Sequence, residues 1–352
     1  MIDFTVEVES DREIRVLQLS DTQIIESEQQ RTHTRLATSL YNRWIISKKD
    51  ENYHNCINAV IKSYNPDLII ITGDLVYGEF DDSGESLIEF INFMDNFKIP
   101  WAPVFGNHDN ESHKGVDWQC KQLVNSNYCL FKQRKLTGNG NYTVGLKQDG
   151  IYKRVFFMLD SNGCSNMSDE SLANGHSKKT VGFGEDQIEW YTTLSQKILS
   201  TEPRAKLSAA FHIQLKVFEK AFAKYGYETN IPFNIESTNN NAETDFGFIG
   251  AKLKSSWDNE EKVWYSLKNT GFDSIYVGHE HANSASVVYD GVRLQYGQKS
   301  STYDRANYIN NVGELVINSY EDIGTPIVGG TSIPIKTNGD LGIGKLLLYE
   351  VK

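Results

Sequence analysis

A chain of 352 residues with 39% hydrophobic and 12% aromatic residues can bury a large core, which excludes general disorder. Its net charge of -11, without clustered Lys and Arg, argues against a nucleic-acid or anionic-membrane partner, so an anionic substrate would need a local positive charge such as a metal. The cysteines Cys56, Cys120, Cys129 and Cys164 show no C-x-x-C spacing and read as buried small residues or free thiols, with a reducing compartment as the default. Neither a signal-peptide pattern at Met1 to Ser10 nor a run of 18 apolar residues is present, so the expected location is cytoplasmic, with no membrane span.

Ile14 to Leu19 is a β-branched and Leu-rich strand that stops at Ser20-Asp21-Thr22-Gln23. Glu26 to Arg35 carries no period and reads as an exposed insertion. Asp50 to Tyr64 places Tyr53, Ile57, Val60, Ile61 and Tyr64 near helical spacing before Asn65-Pro66, which closes the helix. The apolar run Asp67 to Thr72 suits a parallel strand covered on both faces, and it ends in Gly73-Asp74. Strand, helix, strand is a βαβ unit, and its crossover puts the strand C-termini on one edge. The pattern repeats through a helix over 84–97 and the run Ile99 to Phe105, which ends in Gly106-Asn107-His108-Asp109.

Further along, the spacing predicts a helix over 112–125, strands over 141–146 and 154–159, the latter ending at Asp160-Ser161-Asn162, and an amphipathic helix over 186–199. The strand over 206–213 delivers His212. Phe222 to Asp245, rich in Asn, Thr and Tyr, reads as a long surface loop that could wall a site. A helix over 257–269 closed by Gly271 precedes a strand over 274–277 that runs into Gly278-His279-Glu280-His281. A hairpin over 287–296 turns at Asp290-Gly291, and two further strands are expected over 314–317 and 345–351. No repeat or linker appears, so one domain over 1–352 is the simpler reading.

The strand-end residues collected in this way are Asp21, Gln23, Asp74, Asn107, His108, His212, His279 and His281. Singly, each has a bland explanation: a turn, a helix cap, a core histidine or a surface pair. Jointly they are hard to dismiss, because five polar clusters fall at predicted strand ends in a chain with only eight histidines. Carboxylate and imidazole without thiolate suits Fe, Mn, Zn or Ni rather than a structural Cys-type zinc site. His279 and His281 alternate along an extended segment, so their side chains should leave opposite sides and reach two adjacent ions. Two ions sharing a carboxylate are a known solution for phosphate-ester hydrolysis.

In these blocks the chain resembles the calcineurin-like metallophosphoesterase superfamily, whose ordered signature is D-x-H, G-D, G-N-H-D/E, H and G-H-x-H. Ile99-Pro100-Trp101, Gly140-Asn141-Tyr142, Leu159-Asp160-Ser161 and Phe211-His212-Ile213 add a likeness to its single-domain purple-acid-phosphatase-like branch. The resemblance implies an α/β fold of two packed mixed β-sheets flanked by helices, a four-layer sandwich. It implies one metal held by Asp21, Asp74 and His281 and a second by Asn107, His212 and His279, with Asp74 bridging. His108 would hold no metal; it would stand beside the phosphate and give a hydrogen bond or proton to the leaving oxygen.

Gln23 departs from the pattern, which has His there. Its carbonyl oxygen could ligate a hard ion, or it could be a hydrogen-bonding neighbour of the ligands. Gly73-Asp74-Leu75-Val76-Tyr77 matches the G-D-x-x-Y block of purple acid phosphatases, so Tyr77 is either a tyrosinate ligand or a wall residue. Asn110, Asn162 and Asn283 are candidate substrate contacts. The expected function is hydrolysis of phosphate monoesters, on a small molecule or phosphoprotein, by hydroxide activated at two divalent or mixed-valence ions of Fe, Mn or Zn. The alternatives are a phosphodiesterase or nucleotide hydrolase with the same centre, and a non-catalytic metal-binding relative, for which Gln23 is the supporting feature.

Overall fold

The computed structural model describes residues 1–25, 49–80, 83–162, 182–224, 244–250, 257, 259–321 and 323–349. Its first sheet has five strands in the order β16-β15-β2-β3-β4: β16 is Leu346–Leu348, β15 Gly329–Ile335, β2 Ile14–Leu19, β3 Leu68–Ile71 and β4 Trp101–Pro103. The second has eight strands in the order β1-β5-β6-β7-β9-β11-β10-β8. They are β1 (Phe4–Glu7), β5 (Tyr142–Gln148), β6 (Ile151–Met158), β7 (Lys206–Ala210), β9 (Phe272–Val277), β11 (Val292–Tyr296), β10 (Asn283–Tyr289) and β8 (Phe246–Ile249). A small third sheet joins β13 (Leu315–Ser319), β12 (Ala306–Asn310) and β14 (Gly324–Pro326).

The strands of the second sheet alternate faces, and each face has its own core. Phe156, Met158, Ala210 and Tyr276 join the core of the first sheet, whereas Val155, Phe157, Ala209 and Ile275 pack with helices. Those helices are α4 (Glu185–Thr201), α5 (Val217–Lys224) and α6 (Glu260–Asn269), whose apolar stripes include Tyr191, Phe218 and Trp264. The first sheet is served by α1 (Lys49–Tyr64), α2 (Glu85–Asp95) and α3 (Val116–Asn125), with α1 against β15 and β2. Between the sheets, Gln18 donates to the Val277 carbonyl at 3.0 Å and accepts from Gln295 at 3.0 Å, a buried polar tie that fixes how the sheets face one another. The mixed α/β architecture of two packed sheets flanked by helices is thus present.

Chain direction places the chemistry. β2, β3 and β4 run parallel in the first sheet, as do β6, β7, β9 and β11 in the second. Their C-terminal ends meet along one shared rim, and the polar clusters stand there. The α3 helix starts at Val116 instead of Ser112, because Gly115 has φ 75° and cannot be helical; a single 3-10 turn, Asp109–Glu111, precedes it. The strands β1, β8, β12, β14 and β15 were not expected. In β15, Gly329, Gly330 and Pro334 look like loop residues, yet the strand pairs with β2 from Thr331 to Ile335 because tertiary pairing overrides local propensity. Phe222, read as the start of a loop, belongs to α5. Most of that expected loop, and the insertion at Glu26 to Arg35, lie outside the described residues. Cys56, Cys120 and Cys129 are buried free thiols, and among the described residues no helix is long and apolar enough to cross a membrane.

Candidate metal centre

The rim gathers donor atoms within hydrogen-bond distance of one another. Asn107 Oδ1 lies 2.9 Å from His279 Nδ1 and 3.1 Å from His212 Nε2, and those two ring nitrogens are 3.3 Å apart. Asp74 Oδ2 is 3.3 Å from His212 Nε2. On the other side of Asp74, Asp21 Oδ1 lies 3.4 Å from His281 Nε2, and Asp21, Asp74 and His212 offer ligand atoms within 4.8 Å of one another. Ligands about 2.1 Å from one ion stand roughly 3 Å apart, so this spacing suits a shared cation.

The histidine tautomers agree. His212 Nδ1 is 2.7 Å from the Thr72 carbonyl, which only accepts, so Nδ1 donates and Nε2 faces the cluster, where an ion would take the place of its proton. His281 does the same, with Nδ1 3.1 Å from the Arg305 carbonyl and 3.3 Å from the Asp304 carboxylate. Burial pushes the Asp21 carboxyl up, but His281 and His212 outweigh it and hold it at about 2; Asp74 is held low against burial by His212 and His108. Burial disfavours charge on His212, yet Asp74 and Asp21 draw a proton to it, raising it to about 10. That anionic field favours a cation at this spot, and the oxygen and imidazole donors fit a first-row metal ion.

The backbone is bent to make this possible. Asp21, Gln23, Asp74 and His279 all have positive φ, at 52°, 46°, 53° and 74°. Such strain persists only where the surroundings enforce it, and it clusters at functional sites. Gly106 is needed for close approach, because a Cβ there would collide with the Asp74 carboxylate. Asp109 pins the same loop: its carboxylate accepts from Val76 N at 3.0 Å and Gly106 N at 2.7 Å. His279 and His281 do diverge, but the reason differs from the expected extended segment: the Glu280 amide bonds back to the Gly278 carbonyl at 2.9 Å, so a tight turn separates them.

The profile of the calcineurin-like phosphoesterases matches residues 14–283, a span that holds every one of these groups. The chain belongs to this family. It is 30% identical over 279 residues to the Arabidopsis thaliana protein named probable inactive purple acid phosphatase 28, covering 70% of this chain and 62% of that one. Against phosphatase DCR2 of Saccharomyces cerevisiae the identity is 24% over 250 residues, covering 69% of this chain and 40% of that protein. The chain therefore spans less than two thirds of the length of these curated relatives. A dimetal phosphatase from Danio rerio aligns in structure with a TM-score of 0.46 and 12% identity, over 83% of this chain and 89% of that one.

Within this calcineurin-like site, the expectation that the Gln23 carbonyl is a ligand is corrected. Gln23 Oε1 lies 2.9 Å from Lys299 Nζ, which only donates, so the oxygen must face the lysine; its Nε2 donates to Asp74 Oδ2 at 3.1 Å. Tyr77 stacks on the His108 ring, with centroids 4.2 Å apart and planes 23° apart, which fits a wall residue. The three asparagines serve the scaffold. Asn110 Nδ2 donates to the Gly106 carbonyl at 2.9 Å, Asn162 Nδ2 bonds Gln187 Oε1 at 2.7 Å and the Gly182 carbonyl at 3.0 Å, and buried Asn283 accepts from Gly250 N at 2.9 Å.

His108 stands apart from the donor cluster. Its amide donates to Asp74 Oδ1 at 2.8 Å, while its ring Nδ1 lies 2.7 Å from Glu111 Oε2. The ring lines a cleft together with Asp74, His279, His281, Glu280, Arg305 and Asn318. Three residues here escaped the sequence reading. Glu111 was detectable as a carboxylate three residues after His108 in a turn. Lys299 follows the end of β11, another parallel strand end, but that strand was read only as half of a hairpin. Arg305, beside β12, carried no local signal.

Proposed function

We propose that this centre hydrolyses phosphate monoesters with two metal ions, Asp21, Asp74 and His281 holding one, and Asp74, Asn107, His212 and His279 the other. When bound, the ions would supply Lewis acidity toward the phosphoryl oxygens and a water made acidic enough to attack. The observation that carries the reading is His108 with buried Glu111 behind it. A carboxylate on Nδ1 fixes the ring and its tautomer, so Nε2 is the atom available to a leaving oxygen in the cleft. A protein that only binds metal has no use for an oriented proton donor beside it.

Arg305 supports the monoester reading. Its side chain is 35% exposed in the cleft, and it is set by Asp304 at 3.8 Å and by the Tyr320 ring, 5.4 Å from the guanidinium carbon. A fixed guanidinium beside the centre favours the dianion of a monoester over the monoanion of a diester. The substrate could be a small phosphoester or a phosphoprotein.

The test is hydrolysis of p-nitrophenyl phosphate and bis(p-nitrophenyl) phosphate by the full chain reconstituted with Mn(II), Zn(II) or Fe(II). Monoester kcat/KM should exceed diester kcat/KM. Two bound ions with turnover of neither ester would overturn the proposal in favour of a metal-binding relative without turnover.

A further inference from the structure

Lys299 is 1% exposed and stands directly behind the first group of donors. Its segment is fixed in place: Ser300 N donates to the Ser20 carbonyl at 2.8 Å, Ser20 N to Ser300 Oγ at 3.0 Å, and Ser301 Oγ to the Thr22 carbonyl at 2.5 Å. From that backbone Nζ reaches the Asp21 carbonyl at 2.8 Å and Gln23 Oε1 at 2.9 Å. Gln23 passes the interaction on, because its Nε2 donates to Asp74 Oδ2. The result is a buried line of ammonium, amide and carboxylate that ends on the oxygen facing His212.

This line acts unequally on the two groups of donors. Asn107, His212 and His279 converge with Asp74 at separations of 2.9 to 3.3 Å, and His212 is oriented from behind by a neutral carbonyl. Asp21 and His281, with Asp74, lack a fourth protein donor from Gln23, whose oxygen is engaged by Lys299. They also stand next to the Lys299 ammonium, which bonds the Asp21 carbonyl and Gln23 Oε1. A buried ammonium near an ion opposes its positive charge with little screening.

We propose that Lys299, acting through Gln23, makes the two metal sites unequal: the Asn107–His212–His279 site holds its ion tightly, and the Asp21–His281 site is weak and exchangeable. Lys299 is a positioning residue in this scheme, not a ligand. Its ammonium holds the Gln23 oxygen away from the Asp21–His281 side and stands as a like charge behind any ion bound there. The inference rests on the two-ion reading above but concerns affinity rather than turnover. Neighbours of ligands commonly change metal affinity by roughly 10- to 100-fold, which sets the expected scale.

The experiment is calorimetric titration of the chelator-treated full chain with Mn(II) and, separately, Zn(II). The expected result is two steps, the weaker at least about tenfold below the tighter. In Lys299→Met the weaker step should tighten by roughly 10- to 100-fold while the tighter one stays put. Gln23→Glu, nearly the same shape, keeps the contact to Lys299 while offsetting its charge, and should tighten the same step if Lys299→Met does not fold. Two steps of equal affinity in the native sequence would overturn the inference, as would a weak step that neither substitution moves. Unequal sites without ester hydrolysis would sink the phosphatase reading alone, and hydrolysis with equal sites would sink this one alone.

Discussion

Glu111 Oε2 sits 2.7 Å from His108 Nδ1, and its side chain is only 2% exposed where that of His108 is 13% exposed. The pair is thus built from the inside outward, with the carboxylate sealed and the ring at the mouth of the cleft. Removing the ring in His108→Ala should lower kcat by roughly 10²- to 10⁴-fold, and Glu111→Gln by roughly 10- to 100-fold, with metal content unchanged in both. Loss of metal from either variant, read by elemental analysis, would show that the pair belongs to the metal-holding framework.

Asp74 occupies the junction of the two groups of donors, so its neutralisation should be felt on both sides. Asp74→Asn is expected to abolish turnover and lower metal occupancy at both sites, whereas His279→Ala should deplete only the site of Asn107 and His212. Retention of both ions with near-native rate in Asp74→Asn would refute a shared carboxylate.

Arg305 gives a way to separate substrate recognition from metal binding. Losing one charge-assisted contact to a phosphoryl oxygen should raise the monoester KM by roughly 10- to 100-fold in Arg305→Ala, with little effect on a diester and none on metal content. An equal loss on both esters would assign Arg305 to the structure of the cleft wall.

Tyr77 is tied to His108 by ring stacking, and this predicts opposite outcomes for the hydroxyl and the ring. Tyr77→Phe should retain near-native kcat and leave the spectrum of the iron-loaded protein without a tyrosinate charge-transfer band to lose. Tyr77→Ala should lower kcat by roughly tenfold through a loosened His108, as expected when a neighbour that orients a functional group is removed. A visible band present in the native protein and absent from Tyr77→Phe would restore tyrosinate ligation.

Burial raises the Asp160 carboxyl to about 6, despite bonds accepted from Asn139 N at 2.6 Å and Asn162 N at 2.9 Å. Because the folded value lies above the unfolded one, the stability this group contributes is fully present below about pH 4 and is lost as pH rises through about 6. Relative to the native sequence, Asp160→Asn should therefore gain up to roughly 3 kcal/mol between pH 4 and pH 7, measured by denaturant unfolding at each pH. A difference between the two proteins that does not change with pH would mean that Asp160 titrates normally.

Apolar runs broken by short polar clusters were enough to determine from sequence that parallel strands end in Asp21, Asp74, Asn107, His108, His212 and the pair His279 and His281. Such runs have no stable alternative to burial, and the polar residues that close them must stand at a sheet edge. What each side chain does there was open to the tertiary structure alone. Gln23 could have turned either end of its amide toward the metal group, and a lysine 276 residues away in sequence decides which. Asn110, Asn162 and Asn283 sit at or near strand ends like the others, but the loops around them use their hydrogen bonds. The partners that set these roles act through distance and burial, which the local pattern of residues does not encode for Lys299 and Arg305; Glu111, three residues after His108, is the exception. β15 is the same lesson at the level of the fold: its glycines and proline favour a loop, and pairing with β16 on one side and β2 on the other makes it a strand.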